Sequence, residues 1–302
     1  MKLSGLISAP YLTLNQDSTL SLDTIPRYQN YLKSNQINGA FINGSTSVFC
    51  ALSTQERKDN LDAWVKSRES NFKLINHVGH TNLFEAIELT KHSIGKVDAI
   101  AALAPYYFKI SSVEKLMDYC RKIAESAPDI PFYYYHIPVL TRTNVSMKSF
   151  IDRAANEIPN FVGIKFSEAN FQDYQYCLEY NNRSFDILFG VDEKFSSTLP
   201  FYAKGWVGST YNFIAPLYFE IQKQFDLGNV QTANDLQKLS VQFVEYLEAQ
   251  GGYLGISKGL LNHFGLQTGP SRFPFHTPDE EFYDKILEDL NQMGISKYFN
   301  TY

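Results

Sequence analysis

The chain has 302 residues, of which 44% are hydrophobic and 20% are charged, and its 27 basic and 32 acidic side chains give a formal net charge of −5. These proportions are typical of a folded globular protein and exclude a disordered or fibrous one. The mild acidic balance argues against nucleic acid or an anionic membrane surface as the main partner. No apolar run reaches the roughly 18 residues that a membrane-spanning helix needs.

The N-terminal segment carries one positive charge and has too short an apolar run for a signal peptide, so we expect a cytoplasmic protein. The three cysteines, Cys50, Cys120 and Cys177, are too few and too scattered for a disulfide framework or a zinc site. The histidines do not show metal-ligand spacing either. We therefore expect no metal.

Short apolar runs rich in β-formers alternate with helix-patterned stretches along the chain. The predicted strands begin near Leu3, Gly39, Lys73, Ala99, Pro131, Val162, Ile187 and Gly205. Successive starts are 18 to 36 residues apart, which leaves room for one helix between each pair. Eight such units predict a (β/α)8 TIM barrel, with a doubly wound open sheet as the alternative.

Several helices are predicted between these strands. Their patterns cover residues 23–35, 53–67, 112–127, 146–157 and 170–179. Residues 53–56 read Ser-Thr-Gln-Glu, a capping box that marks a helix start. Two further helical patterns, at residues 229–250 and 278–292, follow the last strand. We therefore predict a barrel over residues 1–228 and a C-terminal helical extension over residues 229–302, packed on the barrel.

Lys165 lies in residues 161–166, an otherwise apolar run that predicts a buried strand. Burial disfavours the ammonium form and lowers the pKa of a lysine from its usual value of about 10.4. The neutral amine is the nucleophile that Schiff-base catalysis on a carbonyl substrate requires. The alternative is a strand-end lysine that reaches solvent or pairs with Glu168.

Tyr135 ends the preceding predicted strand, 30 residues before Lys165. Strand alternation places Tyr133 and Tyr135 on one face and Tyr134 and His136 on the other. If Tyr135 faces the barrel mouth, its phenol can exchange a proton with the amine. The alternative is packing, because the chain has 20 Tyr and 23 Phe. We expect His136 to face the helices as a structural histidine.

Two loops at predicted strand ends could bind a ligand. Residues 43–47 (Asn-Gly-Ser-Thr-Ser) supply amides and hydroxyls that can hold a carboxylate, although such residues are also ordinary turn material. Residues 190–193 place Asp192 and Glu193 beside Gly190. Metal binding, recognition of sugar hydroxyls and helix capping by Asp192 all remain open, and the absence of other acidic clusters favours the last two.

Four segments together resemble the N-acetylneuraminate lyase family, the sialic acid aldolases, and most closely its animal-type branch. They are residues 132–138 (FYYYHIP), 163–167 (GIKFS), 189–193 (FGVDE) and 207–212 (VGSTYN). Their shared order and spacing make the match specific. The parent superfamily, which includes dihydrodipicolinate synthase, consists of class I pyruvate aldolases on (β/α)8 barrels, commonly homotetramers.

The resemblance implies an enzyme that reversibly cleaves N-acetylneuraminate to pyruvate and N-acetylmannosamine without a metal or organic cofactor. Lys165 would form the Schiff base with the keto carbon, and Tyr135 would relay the proton when the C3–C4 bond breaks. The substrate-binding residues would be Ser45, Thr46, Tyr107, Ser167, Gly190, Asp192, Glu193 and Ser209. Ser45 and Thr46 would hold the carboxylate, Tyr107 would reach the site across a subunit interface, and the others would contact the polyhydroxylated end.

The sequence departs from the family that it resembles, and from the parent superfamily, at positions that affect the expected substrate. Leu140 stands where dihydrodipicolinate synthases usually carry an arginine for a second substrate carboxylate, although Arg142 follows two residues later. Arg142 itself replaces a family glycine and is expected near the mouth of the site, where it could narrow the opening or recruit another anion. Ser47 and Val48 replace the glycine and glutamate of the family loop. We expect activity with an altered rate or sugar preference.

Two alternatives remain open. Another pyruvate-dependent aldolase would form the same Lys165 adduct but act on a different 2-keto-3-deoxy sugar acid. A non-catalytic binder of sugar acids, with an altered carboxylate loop, would bind ligand without turnover. The expected partners are therefore a small sugar acid and pyruvate, together with further copies of the chain in a homotetramer, with which exposed aromatic residues such as Trp64 are compatible.

Overall fold

The computed structural model describes residues 2–301 and forms a closed barrel of eight parallel strands. The strands are β1 (Gly5–Ser8), β2 (Gly39–Ile42), β3 (Lys73–His77), β4 (Ala99–Leu103), β5 (Phe132–His136), β6 (Phe161–Phe166), β7 (Asp186–Phe189) and β8 (Gly205–Gly208). They pair in chain order, and β8 closes the ring against β1, with Gly5 beside Gly205 and Ser8 beside Gly208. The predicted (β/α)8 barrel is confirmed, and the open sheet is wrong.

The strands begin within two residues of their predicted starts, and the largest difference is at β1, which begins at Gly5. Tyr133 and Tyr135 of β5 belong to the core inside the barrel, whereas Phe132 and Tyr134 pack in the layer between barrel and helices. This alternation was predicted, and it explains why the strands read as apolar runs, because both faces are covered.

Helices surround the barrel and continue beyond it. They are α1 (Ile25–Ser34), α2 (Thr54–Lys66), α3 (Leu83–His92), α4 (Val113–Glu125), α5 (Pro138–Thr141), α6 (Met147–Glu157), α7 (Phe171–Arg183), α8 (Tyr211–Asp226), α9 (Val230–Ala249), α10 (Tyr253–His263) and α11 (Glu280–Gln292). The predicted capping box is present, since Glu56 N–H donates to Ser53 Oγ at 3.1 Å and Ser53 N–H donates to Glu56 Oε2 at 2.8 Å. Within residues 2–301, no helix has the length and apolar character needed to cross a membrane.

The C-terminal helices pack against the barrel and against one another. Helix α9 lies along α8 and α10, and the Tyr11 and Ser257 hydroxyls, 2.6 Å apart, join the end of β1 to α10. One packing expectation is wrong: Trp64 is 2% exposed and packs against Tyr28. Its face of α2 points into the core.

Candidate active site

A cavity of about 560 Å³ opens at the carboxyl ends of the strands, the end where (β/α)8 barrels carry their functional residues. Eight of the ten predicted site residues line it, namely Ser45, Thr46, Tyr135, Lys165, Gly190, Asp192, Glu193 and Ser209. The remaining two, Ser167 and Tyr107, lie outside the lining. The loops that follow β2, β5, β7 and β8 therefore converge on the space that Lys165 of β6 faces.

Lys165 and Tyr135 are direct neighbours across β5 and β6, because the strand register pairs them. Lys165 is 4% exposed, and its Nζ lies 3.9 Å from the centre of the Phe41 ring and 4.1 Å from the centre of the Tyr135 ring. Glu168 bonds instead to His136, with 2.9 Å between Oε2 and Nε2. The alternative in which Lys165 reaches solvent or pairs with Glu168 is therefore wrong.

The two groups differ in protonation. Burial lowers the pKa of Lys165 to about 7, against an opposing effect of the Asp192 charge. Burial raises the pKa of Tyr135 to about 12, while the hydroxyls of Ser45 and Ser167 act in the other direction. Near neutral pH a substantial fraction of the amine is therefore free to attack a carbonyl carbon, and the tyrosine is a phenol that can donate a proton.

The hydroxyls of Ser45 and Ser167 both lie near the Tyr135 phenol. Ser45 Oγ is 3.4 Å from the phenol oxygen. Ser167 Oγ is buried and has no well-formed hydrogen bond among the described residues. A Cβ on Gly190 would collide with Ser167 Oγ and lie 3.3 Å from Lys165 Cε. Glycine at this position therefore lets the chain pass close to the amine.

Asp192 and Glu193 form the acidic side of the cavity. Asp192 Oδ2 accepts hydrogen bonds from the Thr210 backbone N–H at 3.0 Å and from the Thr210 hydroxyl at 2.6 Å, while Oδ1 is buried without a partner in the described chain. Burial raises the pKa of Asp192 and of Glu193, and the neighbouring Asp192 charge adds to the shift of Glu193. A Cβ on Gly208 would collide with the Asp192 carboxylate. Glycine at position 208 therefore leaves room for the Asp192 carboxylate.

Buried polar groups stabilise the loop at residues 43–47, which is predicted to hold a carboxylate. Asn43 adopts a left-handed φ of 56°, and its amide donates to the Arg57 carbonyl at 3.0 Å and to Asn76 Oδ1 at 2.9 Å. The Asn43 carbonyl accepts from His77 Nδ1 at 2.8 Å. Burial and the Arg57 charge lower the pKa of His77, so the neutral ring donates through Nδ1.

The structure shows how Ser47 and Val48, the two departures in this loop, are held. Ser47 is buried and its hydroxyl donates to the Pro10 carbonyl at 2.7 Å, which ties the loop to the end of β1. Val48 adopts a left-handed φ of 50° and leads into a short 3-10 helix, Phe49–Ala51. The Ser47 hydroxyl and the left-handed backbone of Val48 therefore help to fix the path of this loop.

Tyr107 and Arg142 do not reach the cavity within this chain. Tyr107 follows β4, is 88% exposed and packs edge-on against Phe108, with ring centres 5.0 Å apart. Arg142 ends α5 with a left-handed φ of 53° and does not line the cavity, whereas Val139 and Leu140 do. The expectation that Arg142 narrows the mouth is not met, because the arginine lies beyond the last turn of the helix.

Three lining residues come from the helical extension, where the sequence analysis predicted no site residue. They are Val244 and Glu248 on α9 and Tyr253 at the start of α10. Ser209 Oγ donates to the Tyr253 hydroxyl at 3.2 Å. A sequence signal was available in the glycine pair at residues 251–252, whose φ values of 130° and 111° turn the chain back toward the barrel mouth.

The cavity has an asymmetric charge. Among the described residues, Lys165 is the one basic side chain in its lining, and Asp192, Glu193 and Glu248 are the acidic ones. Residues 2–301 also contain no group of three or more His, Cys, Asp or Glu side chains arranged to hold a metal ion. The lining therefore suits a ligand with one electrophilic carbonyl and many hydrogen-bond donors.

The closed ring of eight parallel strands defines a (β/α)8 barrel. The buried lysine beside a cavity at the strand ends gives this barrel the features of an enzyme. The sequence profile of the dihydrodipicolinate synthetase family matches residues 2–293, and the chain belongs to that family.

Individual relatives show which members of this family the chain is similar to. The chain is 35% identical to N-acetylneuraminate lyase A of Xenopus laevis, over 97% of this chain and 98% of that one. Its fold superposes on the Proteus mirabilis N-acetylneuraminate lyase with a TM-score of 0.92, at 31% identity, covering 98% of this chain and all of the other. A catalytic lysine mutant of the Ruminococcus gnavus sialic acid aldolase is similar at 26% identity, with a TM-score of 0.89 and coverage of 98% and 99%.

Proposed function

We propose that this chain is a Schiff-base aldolase that reversibly cleaves N-acetylneuraminate to pyruvate and N-acetylmannosamine. The observation that carries the proposal is the buried, partly neutral Lys165 amine beside the Tyr135 phenol in a cavity at the strand ends. The names of the full-length relatives in Xenopus laevis and Proteus mirabilis support the substrate, and the Ruminococcus gnavus enzyme supports a lysine as the catalytic group.

The proposed reaction begins with attack of the Lys165 amine on the keto carbon of the open-chain sugar. Tyr135 protonates the hydroxyl of the resulting carbinolamine, which leaves as water and gives an iminium ion and a phenolate. The phenolate takes the proton of the C4 hydroxyl as the C3–C4 bond breaks, and the electron pair moves into the enamine. N-acetylmannosamine leaves at this point. Because the iminium nitrogen accepts the electrons, the step needs no metal or organic cofactor.

The second half-reaction restores the enzyme. The Tyr135 phenol protonates C3 of the enamine, which regenerates the iminium, and the phenolate then takes a proton from the water that adds to C2. Collapse of this carbinolamine releases pyruvate and the free amine. Ser45 and Thr46 are proposed to hold the C1 carboxylate throughout.

The acidic side of the cavity is proposed to bind the other end of the sugar. Charged acceptors make strong hydrogen bonds to hydroxyl groups, which suits Asp192 and Glu193, with Ser167, Gly190 and Ser209 around them. A substrate with a second carboxylate would meet these acids without a second basic residue in the cavity lining. This charge pattern supports a sugar acid over a dicarboxylate.

The proposal extends to assembly and location. We propose a homotetramer in which Tyr107 approaches the site of a neighbouring subunit, since Tyr107 and Phe108 are almost fully exposed here. We propose a cytoplasmic location, which the free cysteines Cys50, Cys120 and Cys177 support, because disulfides are rare in reducing compartments.

The test is intact-mass spectrometry after incubation with N-acetylneuraminate and then borohydride, with a Lys165→Ala variant alongside. Borohydride reduces a Schiff base to a stable amine. We expect a pyruvate-sized adduct that the variant lacks, because cleavage leaves the keto-acid half on the lysine. An uncleaved sugar-sized adduct, or saturable binding without any adduct, would contradict the proposal. An adduct that forms with added pyruvate but not with N-acetylneuraminate would point to a different sugar acid.

A further inference from the structure

The distal wall of the cavity is formed by the C-terminal helices, a part of the chain to which the proposed reaction assigns no role. Val244 and Glu248 lie on α9, and Tyr253 begins α10. With the keto carbon of the proposed substrate at Lys165 and its carboxylate at Ser45 and Thr46, the rest of the sugar must occupy the remainder of the cavity, which this wall bounds. This wall is where the far end of a long sugar acid arrives.

Helix α9 is held in a fixed position relative to the acidic turn. Gln237 Nε2 donates to the Asp192 carbonyl at 3.2 Å, and Gln237 Oε1 accepts from the Ser196 backbone N–H at 2.7 Å. Gln237, Val244 and Glu248 are spaced by seven and four residues, which places them on one face of the helix. The face that holds Asp192 is therefore the face that presents Glu248 to the cavity.

The Glu248 carboxylate is itself oriented. Its Oε2 accepts the Tyr253 backbone N–H at 2.6 Å, across the glycine pair that separates α9 from α10. In the described part of the chain, Oε1 has no hydrogen-bond partner, and the side chain is exposed at the rim of the cavity. One oxygen is thus used to fix the group, and the other remains available as an acceptor.

We infer that Glu248 is a specificity-determining residue, which accepts hydrogen bonds from the hydroxyl-bearing tail of the sugar acid at the end farthest from the keto carbon. The inference rests on the proposed function. It adds a third carboxylate, supplied by the helical extension, to the two on the turn after β7. It predicts that the enzyme distinguishes long-tailed sugar acids from shortened ones through this contact.

The test compares Glu248→Gln with the unchanged enzyme on two substrates. One is N-acetylneuraminate, and the other is its shortened analogue, made from the methyl glycoside by mild periodate cleavage of the tail and reduction of the resulting aldehyde, followed by hydrolysis of the glycoside to restore the keto carbon. The glutamine amide oxygen can still accept the Tyr253 N–H, so α10 keeps its support while the charge is removed. We expect KM for the intact sugar to rise about tenfold and KM for the shortened sugar to stay unchanged, since a hydrogen bond to a charged group is lost in one case alone.

Glu245→Gln is the matched control, because Glu245 lies on the same helix, is exposed and does not line the cavity. It should leave both KM values unchanged. An equal change for both sugars in Glu248→Gln would indicate a structural effect and overturn the inference, as would no change for either sugar. If the unchanged enzyme cleaves neither sugar, the proposed function fails and the inference fails with it.

Discussion

Two lysines among residues 2–301 are buried, Lys165 and Lys258, and comparing them shows what a reactive amine requires. Burial lowers the pKa of both Lys165 and Lys258 to about 7. Lys258 Nζ donates to the Pro270 carbonyl, and the nearby Arg272 charge lowers its pKa further. Lys165 Nζ lies instead over the Phe41 and Tyr135 rings and faces a cavity, beside the Tyr135 phenol. A lowered pKa is therefore common to both, and a free lone pair with a proton donor beside it distinguishes Lys165.

The largest expected effect comes from replacing each lysine by methionine and measuring pyruvate release from N-acetylneuraminate. Lys165→Met should lose about four orders of magnitude or more in kcat, because no other group can form the imine. Lys258→Met should retain turnover within about tenfold, since its amine is engaged by a carbonyl and does not line the site cavity. A comparable loss of kcat in both variants would show that the two lysines do not differ in their importance for turnover.

The role of the phenol can be tested next. Tyr135→Phe keeps the ring that packs against the amine but removes its hydroxyl. We expect kcat to fall by roughly 10² to 10⁴, the usual contribution of a positioned proton donor and acceptor. Borohydride trapping with pyruvate should still label Lys165, at a lower rate. Unchanged kcat would show that burial and the cavity suffice without the phenol.

Stability should change in opposite directions in the two methionine variants. At pH 6, below the lowered pKa, an unpaired ammonium is buried at Lys165, so Lys165→Met should raise the free energy of unfolding by about 1–3 kcal/mol. Lys258→Met should lower it by roughly 1–3 kcal/mol, because the Pro270 carbonyl is left unsatisfied. Urea titrations of both variants measure this. Changes of the same sign would show that the two lysines are equivalent structurally.

The smallest expected effect is a shift in the pH dependence of kcat/KM. The Lys165 amine attacks in its neutral form, so kcat/KM should rise with pH through an apparent pKa near 7. Asp192→Asn removes the negative charge that favours the ammonium form, and the acidic limb should therefore move to lower pH. Asp235→Asn, a surface change on α9, should leave the limb in place. A limb that stays fixed in Asp192→Asn would exclude a direct electrostatic effect of Asp192 on the amine.

The barrel could be predicted from the sequence because both faces of each strand are covered. Apolar runs therefore mark the strands, and the residue that interrupts one such run, Lys165, becomes conspicuous. Strand alternation then placed Tyr135 inside the barrel and His136 outside, and both placements are confirmed. The individual roles of these residues stay predictions.

Other features could not be read from the sequence because they depend on contacts between distant segments. The bond from Ser47 to the Pro10 carbonyl joins two loops, and neither loop carries a local pattern that indicates it. The approach of Glu248 to the cavity depends on how α9 packs on the turn after β7. Trp64 was expected at the surface, yet the path of α1 across α2 buries it.

Closure of the barrel between its first and last strands has a consequence for synthesis of the protein. Lys165 leaves the ribosome before β7 and β8 exist, and without the closed ring it remains solvated, with an ordinary pKa near 10.4, and therefore protonated. Burial is the main cause of the lowered pKa, so the neutral amine belongs to the closed barrel, where it lies inside a cavity that limits what can reach it.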